Sequence, residues 1–423
     1  MCYIVVMESL QKLALAAGEA QFEADGGELP RPEWTSPAAP CGWTERQVRE
    51  MYDQRSPEEI VHAKGHPIPI HMAAVPGGRR FPLLKVMLTT ACERNCYYCP
   101  FQAGRDYRRV TFRPDELAQV ITRAHRAGWV QGVFLSTGIF NGGANTQNKL
   151  LDTADILRIR HHYTGYLHIK IMPGAEFGQV LRAMQLADRV STNLEAPNPV
   201  RLNALAPQKD FEQELLNPLR WAEQVRRTSP GHLGWQGRWP STSTQFVVGA
   251  AGENDIEMLS TVERLYRNLG LKRVYFEAFS PVIGTPMESY PAENPLRQQR
   301  LYEASFLLRD YGFSMEELPF GTDGSLPLEV DPKRAYADRV LREDPVELNH
   351  ADRELLLRVP GIGPRTAEKL LGLRRQGRLK EISLLRDQRL ISERSAPYIT
   401  VDGHRPGFQH KLFELTAGNP IPK

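Results

Sequence analysis

Three of the five cysteines fall in one short segment, 89–102, which reads TTACERNCYYCPFQ and spaces Cys92, Cys96 and Cys99 as Cys-x3-Cys-x2-Cys. An odd number of cysteines with three crowded together is a metal-binding pattern, not a disulfide framework. Iron–sulfur cubanes are normally held by four thiolates. Three from one loop therefore leave one iron without a protein ligand and open to another molecule. The alternative is a structural zinc knuckle, which needs a fourth Cys or His, usually in a second pair. Cys2 and Cys41 stand alone and supply no such pair; each reads as an incidental or buried thiol.

The elements that must position this loop are legible from residue 81 onward, where short apolar runs alternate with helical patterns. That alternation marks repeated strand–helix units and a parallel sheet. Strands are expected at 83–88, 132–135, 167–171, 189–194, 244–248 and 273–278, and six of them suit a partial (β/α)6 TIM-type barrel of the α/β class. Helix 113–127 opens with Pro114, Asp115 and Glu116, all favourable in a first turn, and stops before Gly128. Helix 255–269 has Asn254 as a cap and Gly270 as a stop. The cysteine loop directly follows the first strand, on the face where barrels of this kind place their chemistry.

Composition sets outer bounds. The 423 residues are 41% hydrophobic and 24% charged, enough apolar material for a core. A net charge of +3 is too small to make the whole molecule a nucleic-acid binder, so a basic surface must be sought locally. No run of about 18 apolar residues suggests a membrane helix. The apolar start, 1–7, is short and lacks a basic leader, so no secretory signal is expected and the location expected is cytoplasmic. Residues 1–80 read as an arm with a helix at 8–17. Residues 81–320 read as the barrel, 321–345 as a turn-rich linker, 346–395 as a compact basic module and 396–423 as a tail.

The cysteine spacing resembles that of the radical S-adenosylmethionine superfamily. The resemblance implies a [4Fe–4S] cluster whose open iron is chelated by the amino and carboxylate groups of S-adenosylmethionine. An electron from the cluster then cleaves the sulfonium and releases a 5'-deoxyadenosyl radical. Carried over position by position, the likeness gives Tyr98 as the aromatic before the last cysteine. It puts Ser136, Thr137 and Gly138 where relatives hold the methionine amino group, although the usual Gly-Gly-Glu is replaced. Asn193 and Glu195, in Asn-Leu-Glu, would grip the ribose, and as alternate positions on a strand both would face the barrel mouth. Val247 to Gly249 would approach the adenine. A plain strand-to-loop turn is the ordinary alternative for 136–138, and a helix cap or surface pair for Asn193 and Glu195. Two other segments carry charge or aromatics, 105–109 (RDYRR) and 235–239 (WQGRW). The first could draw a phosphate or tune the cluster but is by default a solvated face; the second could stack bases but is by default a packed loop.

Near the other end, 353–375 reads RELLLRVPGIGPRTAEKLLGLRR and resembles a helix-hairpin-helix module of the sort found in DNA repair and recombination proteins. Gly361 and Gly363 would let the turn bring backbone amides close to a phosphate, and the following helix start would add partial positive charge. Arg365, Thr366 and Lys369 would extend that surface, continued by Arg374, Arg375, Arg378 and Lys380. From 350 to 394 there are eleven Lys or Arg against six Asp or Glu. Such contacts reach the backbone and give affinity without sequence choice; internal packing or protein docking is the alternative use.

Cysteine loop and hairpin in one chain resemble a narrower family, radical S-adenosylmethionine proteins assigned to DNA modification or repair and linked to a uracil-DNA-glycosylase-like partner. The stretches that carry this are LLKVMLTTACERNCYYCPF, GVFLSTGI, LHIKIMPGA, ADRVSTNLEAP and LLLRVPGIGPRTAEKLL. The resemblance implies hydrogen abstraction from DNA, with a low-potential ferredoxin or flavodoxin as electron donor. A radical enzyme acting on RNA or a small metabolite, and a non-enzymatic DNA-binding protein with a structural cluster, are the other two readings.

Overall fold

The computed structural model describes residues 12, 13, 16, 17, 70–74 and 80–407, apart from 381. The chain divides into two compact units, 1–253 with 264–293, and 254–263 with 294–423.

The first unit is built on a seven-stranded sheet in sequential order. β1 (Ile70–Ala74) is antiparallel to β2 (Arg80–Met87). Then β2, β3 (Gly132–Ser136), β4 (Tyr166–Lys170), β5 (Arg189–Ser191), β6 (Ser241–Val248) and β7 (Arg273–Ala278) pair in parallel. These six, joined through helices, are the partial (β/α)6 barrel. The strand β1 lies in the stretch read as an arm, where a five-residue run beside Pro and Gly gave no usable period. Of the helix expected at 8–17, positions 12, 13, 16 and 17 are helical, and Leu13, Ala16 and Ala17 are buried in the core; the rest lie outside the described residues. Cys2 and Cys41 also lie outside them.

Connecting helices are α1 (Pro114–Arg126), α2 (Gly143–Asp155), α3 (Phe177–Leu186), α4 (Pro199–Leu205), α5 (Asn217–Thr228) and α6 (Asp255–Leu269). Pro114 opens α1 and the Glu116 carboxylate accepts from the Arg113 N–H at 3.4 Å. Asn254 Oδ1 accepts from the Glu257 N–H at 2.9 Å, and Gly270 ends α6 at φ +54°. Alternation decides the two faces of the sheet. Leu84, Val86, Val133, Leu135, Leu167, Ile169 and Val190 pack outward on Leu117, Ile121, Leu150, Val180 and Ala183 of the helices. Truncating one of these, such as Ile121→Ala, costs about 2–5 kcal/mol.

The second unit continues through α7 (Pro295–Asp310), α8 (Pro332–Val340), β8 (Val346–Glu347), α9 (Arg353–Arg358), α10 (Pro364–Gln376), α11 (Ile382–Asp387) and β9 (Ile399–Thr400). Residues 321–345, expected to be a linker, contain α8, and Ala337 and Leu341 share one core with Leu356, Ile362, Leu370 and Tyr398. The expected tail begins inside that core as well, since β9 pairs with β8. Turn-forming residues at 322–332 concealed this, because Asp331 and Pro332 are a helix cap and a first-turn proline as well as turn formers.

Candidate active site

The cysteine loop is fastened at both ends to the strand before it. Thr90 N–H donates to Val110 O and Phe112 N–H to Leu88 O, both at 2.9 Å. Arg109 closes the loop: its guanidinium donates to Phe101 O at 2.9 Å, Gln102 O at 2.8 Å, Arg105 O at 3.1 Å and Thr90 O at 3.2 Å. It lies 4.0 Å from the Tyr107 ring centroid, and the Tyr107 hydroxyl donates to Thr90 O. Arg105 donates to Ile283 O at 3.0 Å. The charge run 105–109 thus spends these two arginines on loop carbonyls, and the solvated-face reading fails for them. Trp235 stacks on Arg158 at 3.9 Å and Trp239 Nε1 donates to Ser229 O at 3.0 Å, so 235–239 is a packed loop.

Cys96 is buried and Cys92 and Cys99 are half-buried, all three as free thiols. Cys92, Cys99 and Tyr107 pack on Met87 and Phe101, which form an apolar floor. Burial pushes the Cys96 and Cys99 thiols upward in pKa, so a positive partner is needed to draw out their thiolates. Among the described residues, no three His, Cys, Asp or Glu side chains converge as one metal ion requires. Three thiols on one loop fit a cubane, in which each thiolate would meet a different iron, and fall short of the four ligands of a zinc knuckle.

The turn after β3 closes on this loop. Gly138 N–H donates to Thr89 O at 2.7 Å, and a Cβ on Gly138 would overlap Ala91 O, so only glycine allows the approach. Ser136 and Thr137 are buried, and the Thr137 hydroxyl turns to Gly138 O at 2.9 Å. After β5 the strand does not run on as expected. Asn193 is buried with Nδ2 3.4 Å from Gln245 Oε1, but Glu195 has φ +63°, so simple alternation does not place the two together. Its backbone accepts from Val247 N–H at 2.8 Å and donates to Gln245 O at 3.0 Å.

The Glu195 carboxylate is buried against Lys209, Nζ to Oε1 3.1 Å, and the Tyr98 hydroxyl donates to it. Lys209 also donates to the Cys96 sulfur, and the neighbouring thiolate and carboxylate positions raise its pKa despite burial. Tyr98, Glu195, Lys209 and Cys96 are therefore one cluster. Sequence reasoning missed Lys209, which lies in a loop far along the chain from the cysteines with nothing in its immediate neighbours to mark it, and it read Arg109 only as part of a charge run. After β6, Val247 is buried and Gly249 has φ +90°, its N–H held by Glu253 at 2.6 Å and its missing side chain's space filled by Glu293.

In the second unit α9 and α10 are joined by the turn 359–363. Gly361 sits at φ +85°, a left-handed position, and Ile362 is fully buried. Gly363 is extended, and a Cβ there would lie 3.3 Å from the Tyr311 hydroxyl. Arg365 and Lys369 are exposed and make no ion pair among the described residues, while Thr366 is half-buried. The expected continuation of the basic surface is shorter: Arg374 donates to Ala351 O and Arg378 pairs with Asp402.

Residues 86–265 match the Radical SAM superfamily. Among curated proteins, the 7,8-didemethyl-8-hydroxy-5-deazariboflavin synthase of Methanosarcina acetivorans is 25% identical over 225 residues, 49% of this chain and 62% of that one. The enzyme of the same name from Methanosarcina barkeri is 24% identical over 228 residues, 49% and 63%. The chain thus spans under two thirds of these relatives' length. Among solved structures, methylornithine synthase (PylB) is 14% identical with TM-score 0.43, covering 63% of this chain and 69% of that one. The FeFe-hydrogenase maturase HydG from Carboxydothermus hydrogenoformans is 15% identical with TM-score 0.43, covering 54% and 51%.

Proposed function

Residues 86–265 are a radical S-adenosylmethionine domain, which works with a [4Fe–4S] cluster and S-adenosylmethionine, and from that premise we propose that Cys92, Cys96 and Cys99 hold the cluster and that the chain abstracts hydrogen from nucleic acid, DNA foremost. The observation that carries the first half is the meeting of Cys96, Tyr98, Glu195 and Lys209 beside three thiols on one clamped loop. When bound, the cluster supplies the electron that cleaves S-adenosylmethionine to methionine and a 5'-deoxyadenosyl radical.

This chain's residues do the positioning. Cys92, Cys96 and Cys99 would hold the cluster by three thiolates, one short of the usual four, which would leave a place for the cosubstrate. The segment Ser136, Thr137 and Gly138 lies against the loop for the amino group, Asn193 and Glu195 for the ribose, and Val247 to Gly249 for the adenine. Glu195 already accepts from two donors, and a carboxylate has capacity for more. Met87 and Phe101 keep water from the cluster.

The second half rests on the 359–363 turn. Gly361 and Gly363 leave the backbone amides at the start of α10 uncovered by side chains of their own, and Arg365, Thr366 and Lys369 follow on the same helix. In this reading a ferredoxin or flavodoxin brings the electron, a uracil-DNA-glycosylase-like protein is a partner, and the setting is the cytoplasm. Among the described residues no helix is long and apolar enough to cross a membrane. A second reading, a small-metabolite substrate, is favoured by the names of the curated relatives. Anaerobic assays of 5'-deoxyadenosine release with DNA, RNA or neither, followed by nucleoside mass spectrometry, test it. A modified nucleoside supports the first reading; unmodified nucleic acids with 5'-deoxyadenosine release intact favour the second.

A further inference from the structure

The stretch 205–214 is strapped along the cysteine loop. The Tyr97 N–H donates to Leu205 O at 2.8 Å, the Asn95 N–H donates to Gln208 Oε1 at 3.2 Å, and the Arg94 guanidinium pairs with Glu214 at 2.7 Å. Within the strap the Lys209 N–H closes a turn on Ala206 O at 3.0 Å. These contacts hold Lys209 against the loop, where its ammonium group lies 3.1 Å from Glu195 Oε1 and donates to the Cys96 sulfur. The Lys209 and Glu195 side chains are 9% and 6% exposed, and Cys96 is 7% exposed.

A cluster that takes up an electron gains negative charge. Hydrogen bonds to its cysteine sulfurs and positive charge nearby therefore favour the reduced form, and away from water such charges are felt strongly. The Phe101 N–H offers Cys99 Sγ a neutral donor at 3.5 Å. Lys209 offers Cys96 a charged one, with Glu195 as its counter-charge.

We propose that Lys209 is a positioning residue that acts through Cys96 to set the reduction potential of the cluster, its ammonium group easing uptake of the electron and the Glu195 carboxylate opposing it. The assignment rests on the reading that Cys92, Cys96 and Cys99 hold a [4Fe–4S] cluster, and it adds what governs the electron. In the step concerned one electron passes from a low-potential donor to the cluster; the donor is oxidised, the cluster reduced, and no bond forms or breaks. Removing either partner breaks the same ion pair, so a packing role would move both variants the same way, whereas charge moves them in opposite directions.

Redox titration of the anaerobically reconstituted full-length protein, without S-adenosylmethionine and followed by electron paramagnetic resonance of the reduced cluster, tests it. Lys209→Met is expected to shift the reduction equilibrium about tenfold or more towards the oxidised form, a potential about 59 mV lower for one electron. Glu195→Gln is expected to raise the potential. A Lys209→Met potential equal to or above the parent's overturns the assignment, as does movement of both variants in one direction. Should Lys209→Met hold no cluster, Glu195→Gln decides: a raised potential sustains the assignment, and one equal to or below the parent's overturns it. Iron analysis of the parent separates the failures: a parent that binds no cluster sinks the cluster reading, and a parent whose cluster ignores both changes sinks the tuning alone.

Discussion

Glu195 is held where a glutamate does not willingly sit. The left-handed conformation costs about 1–3 kcal/mol, and Gln245, Val247, Lys209 and Tyr98 together keep it there. In the proposed reading this carboxylate grips the ribose of S-adenosylmethionine. Glu195→Gln should weaken S-adenosylmethionine binding by about tenfold or more, the worth of a charged hydrogen bond, while iron content stays intact; equilibrium binding with iron analysis checks both. Cys96→Ala should lose most of the iron and sulfide, because two thiolates are too few anchors for a cubane; stoichiometric zinc in the parent would remove the cluster. The cysteines could be found from sequence because their donors are local. Lys209 could not, and Arg109 could be seen only as one charge of a run, since their significance lies in which carbonyls and carboxylates the fold brings to them.

Among the elements, strands with clean alternation were legible, and 273–278 and helix 255–269 fall at their expected bounds. The end of β5 was not, because the switch at Glu195 depends on tertiary partners that override strand propensity. In the hairpin, Gly361→Val with Gly363→Val should abolish nucleic-acid binding, as side chains would strain the first site and cover the amides at both. Lys369→Ala should weaken binding about equally on all sequences and lower the salt slope by roughly one unit; a filter-binding salt titration reads both effects, and unchanged binding in the double variant would favour a docking role.

The turn also carries its own titration. Lys333 Nζ donates to Ile362 O at 2.6 Å and faces the Tyr311 ring at 4.5 Å. Burial pushes its pKa down to about 7. Between there and the ordinary lysine value of about 10.4 the unfolded chain binds a proton the folded one lacks, so stability rises with pH across that window. Chemical denaturation at the two ends of the window should show the gain in the parent and a smaller one in Lys333→Met.

At the scale of the whole molecule, the division into two units predicts that radical chemistry and nucleic-acid binding separate. The double glycine variant should still release 5'-deoxyadenosine at the parental rate when assayed without nucleic acid; loss of release would show that the hairpin's integrity is needed for the barrel's chemistry. The sheet has one further consequence. Its order runs from β1 to β7 with those two strands as its edges among the described residues. Were the substrate the proposed nucleic acid, such an open order would not oblige a long polymer to enter end-first or to swing a single unit out of line, as a closed ring would.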